Sequence, residues 1–159
     1  MSAFRCAVLL VSLSGAQMAA RSFAIAGELA PQAQGRIAVA GLEEAQVRSF
    51  LEKLQAAVRS RDAAAVAELA SYPLAVNTKG HRESVRSKAH LVRRFSSIFD
   101  SLVTQEILSQ RLEDLFSNSN GVMIGSGSVW FSGVCDHDSP PGTCRGMRVL
   151  VVAINRSDR

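Results

Sequence analysis

The densest cluster of chemically active side chains is the basic segment at residues 79–94, KGHRESVRSKAHLVRR. It holds a single acid, Glu83, against six basic residues: Lys79, Arg82, Arg86, Lys88, Arg93 and Arg94. Arginine guanidinium groups present a planar fork of donors that suits carboxylate or phosphate. The segment therefore predicts a surface that binds an anion. The alternative is a solvated basic face, which is what charge runs usually form.

Four side chains are predicted to contact this ligand: Arg82, Arg86, Arg94 and Trp130. Arg82 and Arg86 are expected to share one face of a sheet, because side chains alternate along a strand. Arg94 borders the apolar stripe of the helix that follows. Trp130 is the only tryptophan of the chain and lies in the glycine-rich segment GVMIGSGSVW.

The candidate catalytic side chains are His81, Asp100 and Tyr72, and they belong to different elements. An isomerase-like site needs a carboxylate base and phenolic or acidic donors aimed into an apolar pocket. The spacing of the three residues does not require them to meet, and the sequence lacks the GxSxG elbow of many hydrolases. We therefore predict no catalytic residue, with an isomerase- or cyclase-like enzyme as the first alternative.

Metal and cofactor chemistry have weak support in the sequence. Asp136-His137-Asp138 offers oxygen and nitrogen ligands, but zinc ligands are usually spaced by two or more residues. The GSGSVW segment lacks both the GxGxxG pattern and the P-loop lysine. We expect neither a metal nor a cofactor.

Residues 1–26 have the features of a signal peptide: a basic start, an apolar stretch and Ala24-Ile25-Ala26 before Gly27. Removing them takes away Arg5 and Arg21 and lowers the formal net charge from +4 to +2. So small a charge does not favour a nucleic-acid partner. No later apolar run is long enough to span a membrane. A periplasmic or secreted location is expected.

Cleavage leaves two cysteines, Cys135 and Cys144, in a compartment where disulfides form and persist. The intervening Pro140, Pro141 and Gly142 can turn the chain back on itself. We predict a disulfide between them. A catalytic or metal-binding pair is the alternative, although the CxxC spacing is absent.

The order of elements predicts an α+β domain over residues 43–159, preceded by a flexible linker at 27–42. Helical periodicity predicts three helices, the first at 43–59, the second capped by Asp62 and the third by Ser87. A hairpin precedes the third helix, and Pro73 restricts its first strand to an edge or an element start. Grouped helices followed by strands predict helices packed on one face of a curved antiparallel sheet.

The segment VMIGSGSVWFSGV is predicted to be one strand, interrupted by Gly125 and Gly127. Glycine in a strand permits a bulge, a sharp bend or the close approach of a helix. The alternative is that the missing side chains leave room for a ligand. The last strand, MRVLVVAIN, is apolar on both faces and is predicted to be central in the sheet.

Three phrases, FLEKLQAAVRSRDAAAVAELASYPLAVN, GVMIGSGSVWF and VLVVAIN, resemble small exported proteins of the nuclear-transport-factor-2-like superfamily. That superfamily includes ketosteroid isomerases and polyketide cyclases. The resemblance covers most of residues 47–155 and implies a cystatin-like cone fold. It carries no catalytic motif and therefore implies fold much more than activity.

These features together predict an exported, non-enzymatic binding protein. It would hold a small amphipathic or anionic ligand, or a protein partner, through its concave sheet and basic hairpin. A second alternative is a secreted inhibitor or immunity-type protein that blocks an enzyme through an exposed strand edge. A homodimer formed through the sheet is one expected assembly.

Overall fold

The computed structural model describes residues 37–136, 143, 144 and 146–156. Its helices are α1 (Glu44–Arg59), α2 (Ala63–Glu68), α3 (Lys88–Ile98) and α4 (Ser101–Ser109), followed by a short 3-10 helix (Leu112–Asp114). Its strands are β1 (Ala70–Thr78), β2 (His81–Val85), β3 (Phe116–Asn118), β4 (Gly121–Ile124), β5 (Val129–Cys135) and β6 (Met147–Arg156).

The strands form one sheet in the order β2-β1-β6-β5-β4-β3. Helices α3 and α4 carry the chain to the far edge of the sheet, and the meander β3–β6 then returns to β1. Strand β6 arrives parallel to β1, whereas the other neighbouring pairs are antiparallel. The sheet is therefore mixed, and the prediction of a wholly antiparallel sheet is corrected at this pair.

The four helices cover one face of the sheet, as predicted. The rings of Phe50 in α1 and Phe131 in β5 have centroids 4.7 Å apart. One buried apolar cluster combines residues of every helix with the helix-facing strand residues, including Leu54, Val66, Leu91, Ile107, Leu74, Val76, Phe131 and Ile154. The α+β class is confirmed.

The predicted helix starts are confirmed by their capping contacts. The Asp62 carboxylate accepts a hydrogen bond from the Ala65 amide at 2.9 Å. The Ser87 hydroxyl accepts one from the His90 amide at 3.2 Å. Each cap satisfies an amide that has no partner within its helix.

Pro73 lies inside β1, between β2 and β6, and not at an edge of the sheet. The pairing of β1 with β2 starts at Leu74, and the register with β6 shifts between Ala70 and Ala75. Proline lacks an amide hydrogen. An internal strand tolerates it here because neither neighbour follows regular pairing at this position.

The predicted strand VMIGSGSVWFSGV is two strands, β4 and β5, joined by a turn at residues 125–128. Gly125 and Gly127 have φ values of +60° and +104°, which L side chains rarely adopt and which interrupt regular strand geometry. The turn also changes which residues face the helices. Even-numbered Val122 and Ile124 are buried in β4, whereas odd-numbered positions are buried in β5.

The predicted linker at 27–42 extends too far. Ile37 and Leu42 are 1% and 4% exposed and belong to the main apolar cluster. Their burial places at least residues 37–42 with the domain. Residues 27–36, like the predicted signal peptide, lie outside the described residues.

The predicted disulfide is present between Cys135 at the end of β5 and Cys144, with Cα atoms 5.3 Å apart. It connects the end of β5 to the chain that enters β6. Beside it, the Asp136 carboxylate accepts a hydrogen bond from Arg148 Nε at 3.2 Å.

Candidate functional site

The face of the sheet opposite the helices carries a polar row next to the β1–β2 turn. Strand register places Arg82 of β2 beside Asn77 of β1, and Asn77 beside Asn155 of β6. Their neighbours Val76 and Ile154 are buried under the helices, so these three side chains point to the other face. We call Arg82, Asn77 and Asn155 the polar row.

A surface depression of about 390 Å³ lies at the end of this row. Lys79, Arg82 and Arg156 contribute its cationic side chains, His81 contributes an imidazole, and the two asparagines contribute amides. The two-residue turn Lys79-Gly80 has φ of +37° and +77°, the sign that a type I′ hairpin turn requires at both positions. This turn places Lys79 beside the depression.

The two asparagines form a hydrogen-bonded chain across the sheet. Asn77 Nδ2 donates to Asn155 Oδ1 at 2.7 Å, and Asn155 Nδ2 donates to the Gly127 carbonyl at 2.6 Å. A side-chain amide nitrogen carries two hydrogens. Each amide therefore keeps one hydrogen that makes no hydrogen bond within the described residues, and both amide groups are held in fixed positions.

Two of the four predicted ligand-binding residues share this face. Arg82 belongs to the polar row, and Trp130 lies on the same face of β5, since its neighbours Val129 and Phe131 are buried. Arg86 is exposed immediately after β2. Arg94 of α3 lies on the helix side, where it pairs with Glu83.

Ion pairing divides the basic segment into two groups. Arg94 pairs with Glu83, and Lys88 pairs with Glu68. Among the described residues, no acidic partner is present for the remaining four, which are Lys79, Arg82, Arg86 and Arg93. Within this second group, only Lys79 and Arg82 line the depression.

Tyr72 makes a structural contact. Its hydroxyl donates to the Ala67 carbonyl at 2.9 Å. Burial, with a smaller contribution from the nearby Glu68 charge, raises the pKa of Tyr72 to about 12. A neutral phenol that already donates its hydrogen is poorly placed to transfer a proton.

Both carboxylate oxygens of Asp100 also accept hydrogen bonds. Oδ1 accepts from the Val103 amide at 3.0 Å and caps α4, and Oδ2 accepts from Arg156 Nε at 3.1 Å. Strand register puts Thr78 between His81 and Arg156. The guanidinium of Arg156, and not His81, is therefore the basic group that Asp100 contacts.

Metal-ligating side chains do not converge in the described part of the chain: no group of three His, Cys, Asp or Glu residues is placed to hold an ion. Within that part, Asp136 pairs with Arg148. His137 and Asp138 lie outside it. No helix of the described residues is both long and apolar enough to cross a bilayer.

Sequence reasoning missed Asn77, Asn155 and Arg156. A signal was present for the asparagines, because asparagine is depleted in strands and here it ends two apolar runs, LAVN and VAIN. Their pairing could not be read from the sequence, since it depends on β1 and β6 being neighbours.

The fold and this surface define an α+β protein with a polar, basic end to its open sheet face. Comparisons with protein-family models, with curated proteins and with solved structures found no match. The resemblance to the nuclear-transport-factor-2-like superfamily thus stays a prediction.

Proposed function

We propose that this chain is an exported, non-enzymatic binding protein that holds an anionic group in the depression at the β1–β2 turn. The observation that carries the proposal is the position of Lys79 and Arg82, two basic side chains with no acidic partner in the described structure, beside that depression. Carboxylate or phosphate oxygens would accept hydrogen bonds from Arg82 and from the remaining amide hydrogens of Asn77 and Asn155.

Export is supported by the Cys135–Cys144 disulfide, because such bonds persist in oxidising compartments. The signal-peptide pattern of residues 1–26 supports the same location. We place the protein in the periplasm or outside the cell, and assign it to the nuclear-transport-factor-2-like superfamily on the sequence resemblance.

Binding is favoured over catalysis because two of the three candidate acid–base groups already have partners, and the third, His81, lines the depression without either of them beside it. Tyr72 donates to a backbone carbonyl, and Asp100 accepts from Arg156 and from a helix amide. A general base must reach the proton that it removes. The donors at the depression instead suit an anion that is held without reaction.

The test is calorimetric titration of the oxidised mature protein with inorganic phosphate and acetate at low and raised salt. Arg82→Ala should weaken anion binding by at least about tenfold, since a hydrogen bond to a charged group contributes roughly 1.5–3 kcal/mol. Arg82→Lys should restore only part of the affinity, because an ammonium lacks the fork. Raised salt should weaken binding by the wild type.

The matched control is Arg93→Ala, which removes an exposed arginine of the same basic segment that does not line the depression. It should change the affinity by less than about twofold, because exposed charges at a distance are screened. Equal weakening by both substitutions, or no binding by the wild type, would contradict the proposal.

A further inference from the structure

The helix-free face carries an apolar row beside the polar row. Cross-strand register aligns one residue from each of five strands: Ala75 with Ala153, Ala153 with Trp130, Trp130 with Met123, and Met123 with Phe116. Each alternates with buried residues that face the helices. We call these five residues the apolar strip.

The strip is open to solvent. Phe116, at its far end, is 52% exposed, and the other four side chains are half-buried. Four strand spacings give it a length of about 19 Å.

The strip and the polar row adjoin. Ala75 and Ala153 lie two residues from Asn77 and Asn155 on the same strands, a separation of about 7 Å. At the β4–β5 turn, a Cβ added to Gly127 would lie 3.3 Å from Met123 Sδ and 3.7 Å from Trp130 Nε1. The Gly127 carbonyl is also the group that accepts from Asn155. The turn therefore joins the two rows.

The side of the strip away from the polar row is mixed. There β5, β4 and β3 present Ser132, Gly121 and Asn118 to the same face, whereas β6 and β1 present the apolar Leu150 and Pro73. A stable protein interface usually buries about 800 Å² on each partner. Four of the five strip residues are half-buried and Leu150 is buried, so the exposed apolar surface is well below that. Its extent suits a single extended chain better than a second protein.

We propose, resting on the anion site proposed above, that the ligand is a single-chain amphiphile with a carboxylate or phosphate head group. The head group lies with Lys79 and Arg82 at the depression. The apolar chain leaves it past Asn155 and lies along the strip over Trp130 towards Phe116. Charge complementarity places the head group at the basic end, and the line of aligned apolar side chains gives the direction of the chain.

The experiment titrates the oxidised mature protein with inorganic phosphate, butyl phosphate and dodecyl phosphate, each below its micelle concentration. Dodecyl phosphate should bind at least about tenfold more tightly than butyl phosphate, because each buried methylene strengthens binding. Trp130 is the only tryptophan, so its fluorescence reports on the strip directly. Dodecyl phosphate should shift that emission to the blue, and inorganic phosphate should not.

Phe116→Ser tests the far end of the strip, and Val92→Ser is its control. Val92 is an apolar side chain of α3, 40% exposed, on the helix side of the molecule. Phe116→Ser should weaken dodecyl phosphate binding about threefold or more and leave butyl phosphate unchanged, since only the longer chain reaches it. Val92→Ser should change neither.

The outcomes separate the two proposals. Binding of all three probes that depends on Arg82 but not on chain length, without a Trp130 response, overturns the amphiphile and retains the anion site. Failure of every probe to bind overturns both. Binding to anionic phospholipid vesicles but not to monomeric dodecyl phosphate points to a membrane surface and overturns the inference. The inference is also overturned if sedimentation shows a dimer and Trp130 is shielded from solvent in it without any ligand.

Discussion

Gly125 combines a left-handed backbone with the close approach of a side chain from α4. Its φ of +60° belongs to the left-handed region, and a Cβ added there would lie 2.6 Å from Glu106 Cδ and 3.0 Å from Glu106 Cβ. Gly125→Ala therefore meets two costs. The left-handed backbone costs an alanine roughly 1–2 kcal/mol. Displacing Glu106 of α4 adds about 1–2 kcal/mol of overpacking.

Two further variants separate these costs. Gly80 has a φ of +77° with nothing within 4 Å of an added Cβ, so Gly80→Ala measures the backbone cost alone. Glu106→Ala removes the side chain that the new methyl group would strike. We expect Gly125→Ala to lower the free energy of unfolding by about 2–4 kcal/mol, and Gly80→Ala by about 1–2 kcal/mol. In the Glu106→Ala background, the cost of Gly125→Ala should fall to that of Gly80→Ala.

The assay is equilibrium unfolding in urea with the disulfide intact, with the slope checked for each variant. Glu106 Oε2 is buried and has no hydrogen-bond partner in the described structure, and Oε1 accepts a long hydrogen bond of 3.3 Å from the exposed Ser126 hydroxyl. Losing that exposed bond is offset by removing the buried, unpaired oxygen, so Glu106→Ala alone should cost little. Equal losses for Gly125→Ala and Gly80→Ala would refute the close approach of α4 to the β4–β5 turn. A loss at Gly125 that Glu106→Ala leaves unchanged would refute its assignment to Glu106.

Two other predictions concern the disulfide and the tyrosine. Replacing both Cys135 and Cys144 by Ser should lower the free energy of unfolding by roughly 2.5–3 kcal/mol, through the entropy of the short loop that the bond closes. Urea unfolding checks this, and equal stability would contradict it. Tyr72 is the only tyrosine, and its absorbance titration should have a midpoint near 12 in the folded protein. Because the folded state favours the neutral phenol, stability should fall as pH rises from about 10 to 12; a midpoint near 10 would contradict the burial.

The helices could be predicted from the sequence because their signals are local. Helical periodicity marks α1, and the Asp62 and Ser87 caps lie three residues from the amides that they satisfy. The disulfide could also be predicted, because the expected oxidising compartment and the two cysteines that remain after cleavage are sufficient evidence for it. Each of these inferences needed only a short stretch of chain.

The β4–β5 turn could not be predicted, because the same residues support two structures. Glycines at 125 and 127 fit a bent strand as well as a hairpin, and the flanking apolar residues alternate acceptably in either case. The deciding contact is with Glu106 of α4, which lies far from them in sequence. The prediction of a single strand therefore assumes one alternation of buried and exposed residues, whereas the alternation changes between β4 and β5.

The candidate site could be predicted only in part, because its geometry depends on contacts between residues that are far apart in the sequence. Arg82 and Trp130 were both selected from the sequence, for basic charge and for being the sole tryptophan. Their common face depends on the strand order β2-β1-β6-β5 and on the parallel pairing of β1 with β6. No local pattern specifies that pairing, and it also brings Asn77 beside Asn155.

Because the proposed site lies on the helix-free face, the residues that bind the ligand are different from those that form the apolar core. The other face is occupied by the apolar core, where an arginine would have to be desolvated at a large cost. Arg82 and Phe116 remain exposed, so their replacement removes little buried surface. Arg82→Ala and Phe116→Ser should each change the free energy of unfolding by less than about 0.5 kcal/mol. If urea unfolding shows a larger loss for either variant, weakened binding by that variant would no longer distinguish ligand contact from a damaged fold.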